Sequence, residues 1–371
     1  MSVFQEYLAS NYYFLVAFAI TVTSLSIICF TPMTRLIGLV DKPNRRKVHS
    51  GSIPLIGGLA IFASVILASL IFIDASVELM YFLSAAGLVT LAGALDDRFD
   101  INFRVRLIIQ ALAGLILIYG AQDRLTSLGN VAGPFEVSLW AFAVPFTVFA
   151  IVGVINAYNM VDGIDGLAGA LALVAIIGIY LMTKGRISSE SVAILALISG
   201  SLVSYLAFNL HLFPRFTSKI FMGDAGSMFL GFVITAFLIR YSQGDKEVFA
   251  PVSALWIVAV PVFDLVSTTL RRIRHGKSPF HPDRTHMHHI FTRAGFSARA
   301  TLVILTTYAA LLLAFGLAIQ GLHETLQLIL FILAFAFHVL LVSRAWRFAK
   351  RLRRLKSSSI KKMFLRERVV R

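Results

Sequence analysis

Eleven runs of about 15 to 20 nearly uninterrupted apolar residues divide this chain, and no fold that buries one core in water accommodates so many. They lie near 12–30, 53–72, 78–94, 105–120, 138–156, 167–183, 191–209, 226–240, 249–268, 300–319 and 325–343. A bilayer interior offers backbone groups no hydrogen-bond partner outside the segment itself, so each run is expected to be a helix. Only 14% of the residues are charged and 58% are hydrophobic, the balance of a polytopic membrane protein. The expected fold is therefore all-α, a bundle of about eleven transmembrane helices. The first run, Tyr12 to Phe30, has no basic residue before it and no small-residue cleavage pattern after it, so it reads as a retained helix.

Charge sets the orientation. Loops on one side of the alternating topology hold 29 of the 34 lysines and arginines; the other side holds Arg124, Lys184, Arg186, Arg240 and Lys246. The positive-inside rule then puts the N-terminus outside and the C-terminus in the cytoplasm, in agreement with an odd number of crossings. Residues 1–343 are expected to be a single transmembrane catalytic domain with cytoplasmic loops. Residues 344–371 carry 12 basic groups and one acid, Glu367, and read as an interfacial tail on anionic lipid. No nucleic-acid recognition motif accompanies the formal charge of +15. One cysteine excludes a disulfide framework and any cysteine-based zinc site.

Polar residues interrupt the apolar pattern in a few places, all expected on the cytoplasmic side. N-A-Y-N-M-V-D-G-I-D-G-L places Asn156, Asn159, Asp162 and Asp165 three residues apart. If that stretch is helical, the four groups wind down one side with a slow drift, and Gly163 and Gly166 let a ligand or backbone come close. L-D-D-R-F-D puts Asp96, Asp97 and Asp100 hard against the end of the third run. Ionisable groups at the edge of hydrocarbon are functional candidates, and adjacent carboxylates want a proton or a metal ion. Asp224, in F-M-G-D-A-G-S, reads either as a carboxylate projecting into a cavity or, with Ser227, as the cap of the eighth helix. Asp264 lies inside an apolar run after Pro261, which is expected to kink it, and needs a partner, either Arg271 or a group on another polar helix. The loop from Arg271 to Arg299 holds five of the nine histidines. His286, His288 and His289 suit zinc, but the six lysines and arginines between Arg271 and Arg293 suit a bound anion better. Arg45, Arg46, Lys47 and His49 read either as a topogenic loop or as a phosphate contact. Aspartates with basic loops on one face suit Mg2+ and a phosphate-rich substrate; a transporter would set its charges nearer mid-membrane and show repeated halves.

These four motifs, L-D-D-R-F-D, N-x-x-N-M-V-D-G-I-D-G-L, F-M-G-D-A-G-S and H-M-H-H, resemble in order and content the polyprenyl-phosphate N-acetylhexosamine-1-phosphate transferases, over roughly residues 41–296. P-F-H-P-D-R-T-H-M-H-H-I is most similar to the bacterial branch that begins O-antigen and enterobacterial common antigen synthesis; the muramoyl-pentapeptide branch shows H-H-H there and ten helices. The resemblance implies an inner-membrane enzyme with a periplasmic N-terminus. It would join UDP-N-acetylglucosamine to undecaprenyl phosphate, release UMP, use Mg2+ or Mn2+, and pair as a homodimer. It further implies that Asp96 deprotonates or orients the lipid phosphate with Asp97 in support, and that Asp224, with Asp97, holds the metal. Asn159 and Asp162 would line the cleft, while Gly163, Asp165, Asn209 and Phe221 would form the uridine pocket. His286, His288 and His289 would meet the diphosphate or sugar, and either Lys47 or His49 would be the first-loop contact.

Overall fold

In the computed structural model the described residues are 11–41, 51–215, 218–279 and 285–344. Lys47, His49, the basic cluster around them and the tail beyond 344 lie outside that set. The helices are α1 (Tyr12–Phe30), α2 (Gly57–Phe72), α3 (Val77–Phe99), α4 (Phe103–Gly120), α5 (Ala143–Val161), α6 (Leu167–Thr183) and α7 (Ser189–Asn209). After them come α8 (Gly223–Arg240), α9 (Pro251–Ile257), α10 (Ala259–Arg274), α11 (Met287–Arg293), α12 (Ala298–Ile319) and α13 (Glu324–Arg344). Among the described residues the strands are two dipeptides, β1 (Val40–Asp41) and β2 (Ile53–Pro54), paired antiparallel with Val40 opposite Pro54.

Every run anticipated from hydropathy contains a helix, although the second opens with β2 and its helix starts only at Gly57, and the runs are not equal. Among the described residues eight helices are long and apolar enough to span a bilayer alone, α2 and α6 are shorter, and α9 with α10 forms one broken span bent by 86°. The break is at Val258, three residues ahead of the expected kink at Pro261. Proline has no N–H to donate to the carbonyl four residues back, so it sits in the first turn of α10, where that bond is not required, and the chain turns before it.

α8 is the axis of the bundle. Of its 18-residue window 89% is buried, against 22% for α1 and α13, whose apolar faces are left for lipid. α2, α3, α5 and α6 pack around it. Two glycines permit that closeness: a Cβ on Gly58 would collide with the backbone of Gly226, and one on Gly93 with the backbone of Ala225. Packing of this kind replaces the hydrophobic driving force that helices lack in lipid. Serine and asparagine caps start several helices, Ser76 on α3, Asn102 on α4, Ser188 on α7 and Ser297 on α12, each accepting a backbone N–H from the first turn. α3 runs through Asp96 and Asp97 to Phe99 and stops at Asp100 in the left-handed conformation (φ 50°), so both aspartates stand on the helix's last turn rather than beyond its end.

Candidate active site

α8 begins without a cap of its own: neither Asp224 nor Ser227 caps it, contrary to one of the two expectations for them, because both lie inside the helix. The cap comes from α3. Asp97 accepts the N–H of Asp224 at Oδ1 (2.9 Å) and the N–H of Ala225 at Oδ2 (3.2 Å). Two backbone donors at a helix N-terminus fix that carboxylate in place. Gly223 makes this possible twice over. Its φ of +73° is strained for a side-chain-bearing residue, and a Cβ there would strike the Asp97 carboxylate.

Around that junction the other acids gather. Asp96, buried on the same turn as Asp97, bonds Arg106 of α4, which also reaches Asp224 Oδ2 at 3.1 Å. Arg106 did not stand out in the sequence; its position ten residues past Asp96, where α4 folds back beside α3, was the available signal. Asp96 Oδ1 is buried with no hydrogen-bond partner among the described residues. Asn159 donates to Ser227 Oγ at 3.1 Å and so ties α5 to α8 one turn inside the junction. Asp162 caps the C-terminal end of α5. Removal from water pushes its carboxyl up to about 7, helped by the charges of Asp97 and Asp165.

The stretch 156–167 is not one helix. α5 ends at Val161, Gly163 turns back onto the Val161 carbonyl, and α6 starts after Gly166 in the left-handed region (φ 76°). Steps of three residues rotate a helix by roughly 300°, so successive groups already diverge. Asn156 accordingly bonds Gln110 of α4 (2.7 Å), while Asn159 faces α8. Asp165 forms a second cluster. Lys219 Nζ is 2.6 Å from its Oδ2 and 5.4 Å from the centre of the Phe221 ring. Phe221 is laid against the segment before α2: its N–H donates to Pro54, and its carbonyl accepts from Gly57. Asn209 donates to the Ile220 carbonyl at 2.8 Å, so it supports the residue before Phe221.

The histidines arrive from α11. His286 Nδ1 is 2.8 Å from Asp264 Oδ2, so the partner of that buried acid is His286 and not Arg271, whose guanidinium instead donates to the Thr285 carbonyl. Arg271 lies in the last turn of α10, where its side chain meets the Thr285 carbonyl; the aspartate, two turns earlier, faces inward. His288 is buried with Nε2 unpartnered among the described residues, and a Cβ on Gly163 would collide with it. Gly163 thus makes room for a histidine ring beside Asp162. Burial, and then the neighbouring His289, push the His288 imidazole down to about 3, so it is neutral at physiological pH. His289, half-buried, lies with its ring 4.2 Å from that of His288.

Comparison with known proteins adds the decisive observation. Residues 79–242, which include every aspartate of the two clusters, match the family model described as Glycosyl transferase family 4. The undecaprenyl-phosphate alpha-N-acetylglucosaminyl 1-phosphate transferase of Yersinia pestis is 44% identical over 86% of this chain and 88% of its own. Those of Escherichia coli K12 and Haemophilus influenzae are 40% and 39% identical, each over 90% of this chain and over 92% and 94% of their own. The chain belongs to the undecaprenyl-phosphate alpha-N-acetylglucosaminyl 1-phosphate transferase family. It is an enzyme, a multi-pass membrane transferase. The family implies a divalent cation, and the donor set suits one. Asp96, Asp97, Asp162 and Asp224 all offer hard oxygen, and among the described residues Arg106 is the guanidinium seen to reach two of them, Asp96 and Asp224. Among the described residues no three acidic, histidine or cysteine side chains form a ready-made cage.

Proposed function

We propose that this enzyme transfers N-acetylglucosamine 1-phosphate from UDP-N-acetylglucosamine to undecaprenyl phosphate. An oxygen of the lipid phosphate attacks the sugar-bearing phosphorus and forms the new P–O–P linkage. The bond from that phosphorus to the bridging oxygen breaks, and its electron pair leaves with UMP. The observation that carries this reading is the aspartate junction at the start of α8, found in a chain so similar to transferases bearing that name. The role of the junction is electrostatic: positioning and charge compensation supply most of the acceleration of phosphoryl transfer.

Asp224 and Asp97 would hold Mg2+ or Mn2+, which when bound offsets the charge of the diphosphate. Asp96, with one oxygen on Arg106 and the other unpartnered among the described residues, faces the lipid phosphate and takes or orients its proton. Asn159 keeps α5 and α8 in register, and Asp162 borders the diphosphate. Asp165, Phe221 and Asn209 form the uridine pocket, with Phe221 as the stacking face and Asn209 behind it. Gly163 admits His288, which with His289 meets the diphosphate or sugar; Lys47 or His49 contributes from the first loop.

Eleven crossings, counting the broken pair as one, put the N-terminus in the periplasm and the site at the cytosolic face of the inner membrane, where UDP-sugars are. The basic tail rests on anionic lipid, the enzyme pairs as a homodimer, and its product begins O-antigen and enterobacterial common antigen. The test is incubation of purified protein with undecaprenyl phosphate, Mg2+ and a panel of UDP-sugars. UMP release and a lipid-linked N-acetylglucosamine product are expected, with Asp224→Asn losing most of the rate and much of its dependence on Mg2+. Nucleotide-sugar uptake into vesicles without covalent product would sink the reading.

A further inference from the structure

Asp264 is 2% exposed, stands well up α10 from the loop, and belongs to none of the motifs that carry the reaction. Yet both its oxygens are engaged by the histidine segment: Oδ2 with His286 Nδ1 at 2.8 Å, and Oδ1 with the N–H of Met287 at 2.8 Å. The other nitrogen of His286, Nε2, lies 3.3 Å from Nη2 of the buried Arg272. A guanidinium can only donate. Nε2 must therefore be the acceptor, the proton must sit on Nδ1, and that proton is donated to Asp264. His286 is then a neutral bridge between a buried carboxylate and a buried guanidinium, with both ring nitrogens in use.

We propose that Asp264 is a positioning residue of the transferase, acting through His286 and the first N–H of α11 to hold His288 against Gly163, and that His286 is a bridge to Arg272 rather than a contact to substrate. The geometry makes each part necessary. α11 is a seven-residue helix, too short for its own hydrogen bonds to aim it. One acid bonding two successive residues, 286 and 287, fixes both the position and the rotation of the helix. His288 is the next residue, and its Nε2 comes to rest over the turn that carries Asp162. Arg272 is held at its other end by the Pro279 carbonyl (Nη1 to O, 2.7 Å), so the same relay anchors the outgoing end of α10 to the returning chain. This inference rests on the proposed transfer reaction for its kinetic readout and on nothing but side-chain geometry for its spectroscopic one.

The experiment has two arms. In the first, UMP release is measured for variants of each bridging group. Asp264→Asn is expected to lose at least tenfold in kcat and to approach Asp264→Ala, because an amide presents only one acceptor to two donors. His286→Asn keeps a donor where Nδ1 stood and is expected to recover at least tenfold over His286→Ala. His286→Gln, whose amide reaches the Nε2 position, is expected to recover little. Asp264→Ala combined with His286→Ala should be within about threefold of the worse single variant, since both break one relay. If Asp264→Asn keeps wild-type kcat, or if His286→Asn is no better than His286→Ala while His286→Gln is, the inference is overturned. In the second arm, 15N-labelled histidine resonances are recorded in wild type and His286→Asn to assign His286. A neutral ring protonated at Nδ1 is expected; a ring protonated at Nε2 or a charged ring overturns it. A wild-type protein that releases no UMP would defeat the transferase reading alone, and the spectrum would still decide the relay.

Discussion

At Arg106 one guanidinium faces two carboxylates from different helices, Asp96 of α3 and Asp224 of α8. Like charges so close repel unless a cation lies between them, and the side chain supplies that cation. Arg106→Gln should consequently do two things that pull apart: turnover falls by about tenfold or more as the carboxylates lose their alignment, while half-maximal activity needs less Mg2+ because the acids are no longer neutralised. UMP release titrated with Mg2+ measures both, and a variant that needs more Mg2+ would refute the second. His288 gives a prediction about pH. Its folded-state value of about 3 lies below the 6.5 of an unfolded histidine. Below pH 6.5 the unfolded chain therefore binds the extra proton and stability falls with pH, fully present above 6.5 and still being lost toward 3. At pH 5 the deficit is about 2 kcal/mol. His288→Asn should flatten the decline of the melting midpoint between pH 7.5 and 5, and an unchanged slope would remove His288 as its source. The aspartates themselves were legible in the sequence, because an acid beside an apolar run is expensive and so conspicuous. Arg106 and the bond between His286 and Asp264 were not, since their meaning is a pairing across elements that spacing along one element does not reveal.

Helices around α8 are held by contact without side chains in the way. Gly93→Leu would drive a side chain into the backbone between Asp224 and Ala225, where nothing can give, and should abolish folding or lower the melting midpoint by many degrees. Leu91→Ala is the control. Leu91 is 60% exposed on a face that meets lipid, so its truncation should leave the midpoint nearly unchanged. Size-exclusion profiles and thermal scans in detergent check both, and equal losses would mean that α3 does not approach α8 through Gly93. The same scale shows what hydropathy could and could not give. It located α1 to α8 because each is a long apolar run, but it ended the third and fifth runs early, at residues 94 and 156, where polar side chains begin. The backbone continues through them, to Phe99 and Val161, because polar residues at the last turn of a membrane helix keep its hydrogen bonds while their side chains turn toward the site. The 86° break at Val258 was half visible in Pro261; a hydropathy average registers composition and not direction.

The molecule as a whole has two polar ends separated by α8, whose 18 residues measure about 27 Å along the axis, close to the thickness of a bilayer core. At one end stands the aspartate junction. At the other, Arg240 in the last turn of α8 bonds Asp123, whose carboxyl is raised by burial despite the pairing, and Lys246 reaches Glu78 at 3.3 Å. A buried ion pair robbed of one partner leaves a stranded charge, so Asp123→Ala should destabilise the protein by about 3 kcal/mol while the junction, at the far end of α8, keeps its geometry. The two ends also predict which solvent each sees. Basic side chains crowd the junction end and are sparse at the other, so the positive-inside rule predicts a junction open to the cytosol. In a Cys29→Ser background, Lys277→Cys should react with a membrane-impermeant maleimide only in inverted vesicles, and Asp245→Cys only in cells with a permeabilised outer membrane; both parent residues are exposed. Labelling of the two from the same side would mean that α8 does not cross between them. The reverse pattern would turn the junction away from the compartment that holds nucleotide sugars, and the transfer reaction would lose its donor.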